Sequence, residues 1–350
     1  MADSCLEYLK NYSGRELTLM EICGSHTAAI ARSGIRSVIS PKLRLISGPG
    51  CPVCVCPSGY IDRLTDLALK GNVTVCFGDM LRVPGSGTSL SEVKGEGADV
   101  RMLYSPLDLI DMALKEKDKD FVFAAVGFET TIPVYTLLLD EITERDIKNI
   151  KLLTALKCMG PVIEFLCSGD NGIDGFIAPG HVAVITGTKM FEDLSEKYDV
   201  PFAVTGFLDE ELVKGIYGLV RLCEKKDQGI RGRELTANFY PSVVTENGNV
   251  RAREKTEKYF KHGDTFWRGM GNIPDSGLFL REEFMCYDAG SFGISEDKKI
   301  NPFCSCDKVL TGRLSPKQCP LFGKECTPLT PQGACMVSSE GSCAAAAVDL

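Results

Sequence analysis

The sequence predicts an α/β protein: two parallel-sheet domains followed by a cysteine-rich C-terminal part. Three observations carry that reading. From about residue 15 to residue 225, short apolar runs alternate with amphipathic segments, which is the pattern of βα units around parallel sheets. Nearly every apolar run ends in a small or glycine-containing turn. Beyond about residue 236 the alternation fades into one charged helix, glycine-rich turns and a tail with six of the sixteen cysteines.

The predicted strands, in order, are Leu17 to Ile22, Leu43 to Ile46, Val73 to Phe77, Phe121 to Val126, Ile150 to Leu153, Phe176 to Ala178 and Phe202 to Val204. Predicted helices follow them: Thr27 to Arg32, Tyr60 to Lys70, Pro106 to Lys117 behind a Ser105 cap, Thr131 to Arg145, Pro161 to Cys167, Lys189 to Lys197 and Asp209 to Cys223. The charged stretch KEKDKD, Lys115 to Asp120, reads as a surface crossing between two domains. The expected division is therefore residues 1–118, 119–235 and 236–350. A tail this poor in large apolar residues has no core of its own, and a metal would supply what is missing.

Composition narrows the function. With 44% hydrophobic and 25% charged residues the 350-residue chain is ordinary globular material. Its charge of −8 and the lack of any basic block argue against a nucleic-acid partner. MADSCLEYLK has neither a basic nor an apolar leader segment, and no apolar run reaches membrane-spanning length, so a cytoplasmic location is expected. Among reducing thiols, dense cysteine points to metal binding or redox chemistry rather than to a disulfide frame.

In open α/β sheets ligands bind outside the carboxyl ends of the strands, so the loops CGSHT, GPGCPVCVCP, GDM, GFETT, KCMGP and APGH are the candidate site. The stretch GPGCPVCVCP holds Cys51, Cys54 and Cys56 between prolines and glycines, and such a stiff loop positions sulfur rather than filling a core. Cys51-Pro52-Val53-Cys54 precedes a helix, a setting that activates thiols or forms a reversible disulfide; Cys56 also fits a core position. Cys23 ends a strand and is a soft ligand at a helix N-terminus. His26 fits either a second ligand or a plain hydrogen bond to a loop carbonyl. Glu129 in GFETT fits a catalytic role or a helix cap equally well, and His181 lies on APGH. The tail parses as Cys304-x14-Cys319-x6-Cys326-x16-Cys343, with Cys306 and Cys335 left over. Four such thiolates bind zinc or an iron-sulfur cluster, and the lack of tight C-x2-C pairs favours the cluster. No phosphate loop and no nucleophile elbow occur in the sequence.

Taken together, CGSHT, GPGCPVC, GFETT, APGHV and the tail spacing resemble the HypD family of hydrogenase maturation factors over essentially the whole chain. The resemblance implies two Rossmann-like α/β domains facing a cleft, plus a C-terminal iron-sulfur domain. It implies a scaffold on which the Fe(CN)2(CO) centre of [NiFe]-hydrogenase is assembled in complex with HypC and HypE, with HypF upstream and the hydrogenase large subunit as indirect recipient. It makes Cys23 the iron-binding thiolate, Cys51 and Cys54 a redox-active pair, and Cys304, Cys319, Cys326 and Cys343 the ligands of a [4Fe-4S] cluster. His26, Glu129 and His181 lie in family motifs. The competing reading is an independent iron-sulfur thiol-disulfide oxidoreductase.

Overall fold

The computed structural model describes residues 2–169, 171–299 and 301–347. Its strands in chain order are β1 (Leu17–Glu21), β2 (Leu43–Ser47), β3 (Val73–Cys76), β4 (Val100–Met102), β5 (Phe121–Gly127), β6 (Ile150–Lys157), β7 (Gly175–Pro179), β8 (Phe202–Thr205), β9 (Thr236–Asn238), β10 (Phe260–Trp267) and β11 (Gly271–Leu280). They form two sheets. One is wholly parallel in the order β2-β1-β7-β8-β9. The other runs β10-β11-β6-β5-β3-β4, with β3 to β6 parallel and the β10–β11 hairpin added antiparallel on β6. Each of the seven predicted strands overlaps an observed one.

The sheets are interleaved along the chain rather than consecutive. After β2 the chain leaves the first sheet, builds β3 to β6 of the second, returns for β7 to β9, and then comes back to add β10 and β11. The expected boundary at residues 118 and 119 therefore falls inside one sheet, because β3 before it pairs with β5 after it. KEKDKD is a surface connection within that sheet, and its charge has a local use: Glu116 and Lys119 pair with Arg101 and Asp99 at strand β4. The crossing from the first sheet to the second lies at GPGCPVCVCP, between β2 and the helix Ser58–Leu69. Prolines and glycines there serve the passage from one sheet to the other.

Burial follows topology. All of β5 is buried, as expected for a central strand covered by helices on both faces, which explains its unbroken apolar run FVFAAVG. The hairpin escaped the sequence reading because only the end residues of β10, Phe260 and Trp267, are buried, and the stretch between them holds Lys261, His262 and Asp264. The charged helix spans Val250–Tyr259, and Phe260 after it already belongs to β10.

Loops at the carboxyl ends of strands from both sheets, β1, β2 and β7 of the first and β5 of the second, line one cavity. Cys51, Cys54 and all six tail cysteines share one buried cluster with residues of the first sheet, such as Phe176 and Val204. The tail is thus packed into a core it could not form alone.

Candidate functional site

Cys23 follows β1 and caps the helix Gly24–Ser33. Its backbone amide donates to Glu21 Oε2 at 3.1 Å, and Gly24 N–H donates to Gly50 O at 2.8 Å, which fastens the two loops together. The approach is so close that a Cβ on Gly50 would stand 2.2 Å from Cys23 N and 2.4 Å from its Cα. Only glycine permits that contact. Burial pushes the Cys23 thiol up to about 12, against the backbone amides of His26 and Ser25, and the charges of Glu21 and Glu340 push the same way as burial. Without a cation the sulfur therefore keeps its proton.

A cavity of about 170 Å³ opens at this sulfur, lined by Cys23, Gly50, Pro52, Phe128, Thr130 and His181 among others. Loops from β1, β2, β5 and β7 meet there, so four strand-end loops singled out in the sequence do converge. The sequence reading missed Glu340, a tail residue on the same cavity whose Oε1 accepts from Ser25 Oγ at 2.7 Å. It lies in a turn far along the chain, and no local pattern marks it. His26 is not on the cavity wall. It is fully buried, its Nε2 lies 3.0 Å from Gly206 O, and its ring stacks on Phe207, which also stacks on His181. The loop-carbonyl role is the one the fold gives it.

Cys51 and Cys54 are joined as a disulfide with Cα atoms 5.3 Å apart, and both are buried. Cys54 Sγ lies 3.9 Å from Ala334 O, so the loop touches the tail beside Cys335. Arg268 locks this contact from below: its N–H donates to Val55 O at 2.9 Å and its Nε to Cys56 O at 2.8 Å, while its guanidinium faces Asp297. Cys56 is core.

The tail gathers Cys304, Cys306, Cys319, Cys326, Cys335 and Cys343, all buried. Cys335 Sγ stands 3.0 Å from Cys306 Sγ and 3.2 Å from Cys343 Sγ. Gly333 makes room beside them, since a Cβ there would lie 3.0 Å from Cys304 Sγ. Among the described residues, no three His, Cys, Asp or Glu side chains stand in metal-binding arrangement. The donor set nevertheless suits a soft metal centre: six buried sulfurs, with Arg268 and Lys299 as the cations near them.

Glu129 is not brought to the Cys23 cavity. It turns to the other side of its loop, where Oε1 accepts from Met159 N at 2.7 Å. Burial pushes it up to about 7, and burial does the same to Glu21 despite hydrogen bonds from Ser47 and Thr27. Folded protein holds these protons to about pH 7 whereas the unfolded chain releases them near 4.5, so each carboxyl removes up to about 3 kcal/mol of stability as pH rises through that window. Buried His26, lowered to about 4, has the opposite sign and costs stability as pH falls from 6.5. Urea unfolding of Glu129→Gln at pH 4.5 and 7.5 is expected to show the variant gaining on the wild type by up to about 3 kcal/mol at the higher pH. Parallel pH curves would refute the assignment.

Among the described residues, no helix is long and apolar enough to cross a membrane. The family profile HypD, described as the hydrogenase formation hypA family, matches residues 1–348. The chain is 41% identical over 343 residues to the hydrogenase maturation factor HypD of Rhizobium leguminosarum bv. viciae, covering 95% of this chain and 88% of that protein. It is 38% identical over 343 residues to the factor of that name from Escherichia coli (strain K12), covering 97% of this chain and 90% of its relative. A match of this extent places the chain in the HypD family of hydrogenase maturation factors.

Proposed function

We propose that the chain is the scaffold on which the Fe(CN)2(CO) unit of [NiFe]-hydrogenase is put together, in a cytoplasmic complex with HypC and HypE, with HypF acting upstream and the hydrogenase large subunit as final recipient. The observation that carries this reading is the Cys23 cavity. A soft thiolate donor faces a space for a small cargo, walled by loops of both sheets and by the loop of the Cys51–Cys54 disulfide. Low-spin iron with cyanide and carbonyl ligands is a soft centre that thiolate holds well.

The chain's own residues supply the rest. Binding iron displaces the Cys23 proton, and the amides of Ser25 and His26 then stabilise the sulfur charge. The cavity wall combines apolar Phe128, Val182 and Pro179 with polar Thr130, His181 and Glu340, so a metal unit held there meets both apolar surface and hydrogen-bonding groups. A [4Fe-4S] cluster would be held by Cys304, Cys319, Cys326 and Cys343, with Cys306 and Cys335 as the neighbouring thiols. When bound, it supplies or accepts electrons.

The oxidoreductase reading is disfavoured by access: Cys51 and Cys54 are 3% and 0% exposed, and exchange needs a thiolate to reach a sulfur. Turnover of a small aromatic disulfide by the isolated chain under anaerobic conditions, with dithionite as the electron source, separates the two. The scaffold reading expects none above the rate of a Cys51→Ala, Cys54→Ala protein. Sustained turnover that needs both cysteines would favour the oxidoreductase.

A further inference from the structure

The tip of the β10–β11 hairpin is pressed against the cysteine-rich tail. Met270 N–H donates to Trp267 O at 3.0 Å and closes the turn, and a Cβ on Gly269 would stand 2.6 Å from Cα of Asp307, the residue after Cys306. Because Gly269 also has φ at 77°, the turn takes only glycine there. Arg268 on the same turn is 6% exposed, and its backbone N–H and Nε hold Val55 O and Cys56 O in the disulfide loop.

One end of this arginine is unmatched. Nη1 lies 3.3 Å from Asp297 Oδ1, an oxygen that also accepts from Ser58 N–H at 3.2 Å, whereas Nη2 is buried and has no hydrogen-bond partner. Buried cations are ordinarily paired and their N–H groups bonded, because an orphaned donor forfeits its hydration with no return. The side chain shares a cavity of about 10 Å³ with Cys304, Cys306 and Gly333, at the lower limit of room for one water. Its charge is felt at the sulfurs of Cys306 and Cys56. Lys299, the other cation there, is engaged: its Nζ donates to Cys304 O at 2.9 Å and to Asp307 Oδ1 at 2.7 Å. Negative charge on sulfur would complete Arg268, and cysteines take on that charge when they hold a metal.

We propose that Arg268 is a positioning residue that sets the reduction potential of the tail cluster. The inference rests on the [4Fe-4S] reading given above. Adding one electron to a cluster held by thiolates adds one negative charge, so a buried cation beside the cysteines favours the reduced form and raises the potential. Asp297 acts in the opposite direction, because it offsets part of the guanidinium charge. The same side chain braces the loop of Cys51 and Cys54, so the tail and the disulfide loop share one cation.

The test is a dithionite titration of the chain purified without oxygen, followed by electron paramagnetic resonance once iron and sulfide have been counted. Arg268→Met should lower the midpoint by at least about 59 mV, a tenfold change in the ratio of reduced to oxidised cluster for one electron. Arg268→Lys, which keeps the charge, should recover at least half of that shift. Asp297→Asn keeps an oxygen for Ser58 N–H and should raise the midpoint, and a general loosening of the tail does not produce opposite signs in the two variants. Full cluster content with an unmoved midpoint in Arg268→Met, or an unmoved or lowered midpoint in Asp297→Asn, would overturn the role of Arg268. If Arg268→Met takes up no cluster, the sign of the shift in Asp297→Asn decides alone. A wild type without iron and sulfide would overturn the cluster reading itself, and this inference with it.

Discussion

Gly50→Ala is expected to destabilise the protein by roughly 3 kcal/mol, the upper end of the usual cost of overpacking a well-packed core. The added methyl meets Cys23 N, Cys23 Cα and Ile22 C within 2.5 Å, all backbone atoms that cannot rotate away. Relief requires parting two loops that Gly24 N–H and Gly50 O hold together, which moves Cys23 relative to the disulfide loop. Gly87→Ala is the matched control, since nothing lies within 4 Å of its added Cβ. Urea midpoints of the two variants measure the difference. Similar midpoints would mean that the close approach at Cys23 is not a constraint.

The second large effect is functional. The Cys51→Ala, Cys54→Ala protein is expected to fold, because a disulfide three residues apart closes a loop too short to add much stability. Coexpressed with HypC, it should yield at least tenfold less assembled iron centre than the wild type. Cys56→Ala, which removes an adjacent thiol packed in the core, should cost about 1 kcal/mol of stability and leave assembly intact. Normal assembly without Cys51 and Cys54 would end the idea that a dithiol supports the iron chemistry.

Much of the fold was legible because parallel strands are short apolar runs and their ends carry glycine. Leu17 to Ile22 and Phe121 to Val126 are marked by composition alone. The order of strands in the sheets was not, since pairing β1 with β7 depends on contacts more than a hundred residues apart. KEKDKD looked like a domain boundary for the same reason: a charged surface turn reads alike whether it joins two sheets or two strands of one. β10 was hidden by the polar stretch between its two buried end residues, Phe260 and Trp267.

The site was legible to the extent that strand ends carry chemistry. Cys23, Cys51, Cys54 and His181 were chosen for residue type on such loops, and the fold brings the loops of all four around one cavity. His26 was ambiguous because histidine serves both as ligand and as loop brace, and its bond to Gly206 O comes from a loop 180 residues away. For Glu129 the motif fixed the loop but not which side of it the carboxyl would take. Glu340 carried no signal, because a glutamate in a cysteine-rich turn becomes informative only once Ser25 is seen beside it.

The central claim is that Cys23 holds the iron being assembled. The most direct measurement is an infrared spectrum of the protein purified without oxygen after coexpression with HypC, beside its Cys23→Ala version. Cyanide and carbonyl stretches in the wild type that vanish in the variant are the predicted result. Bands that persist without Cys23, or a wild-type complex that shows none, would contradict it.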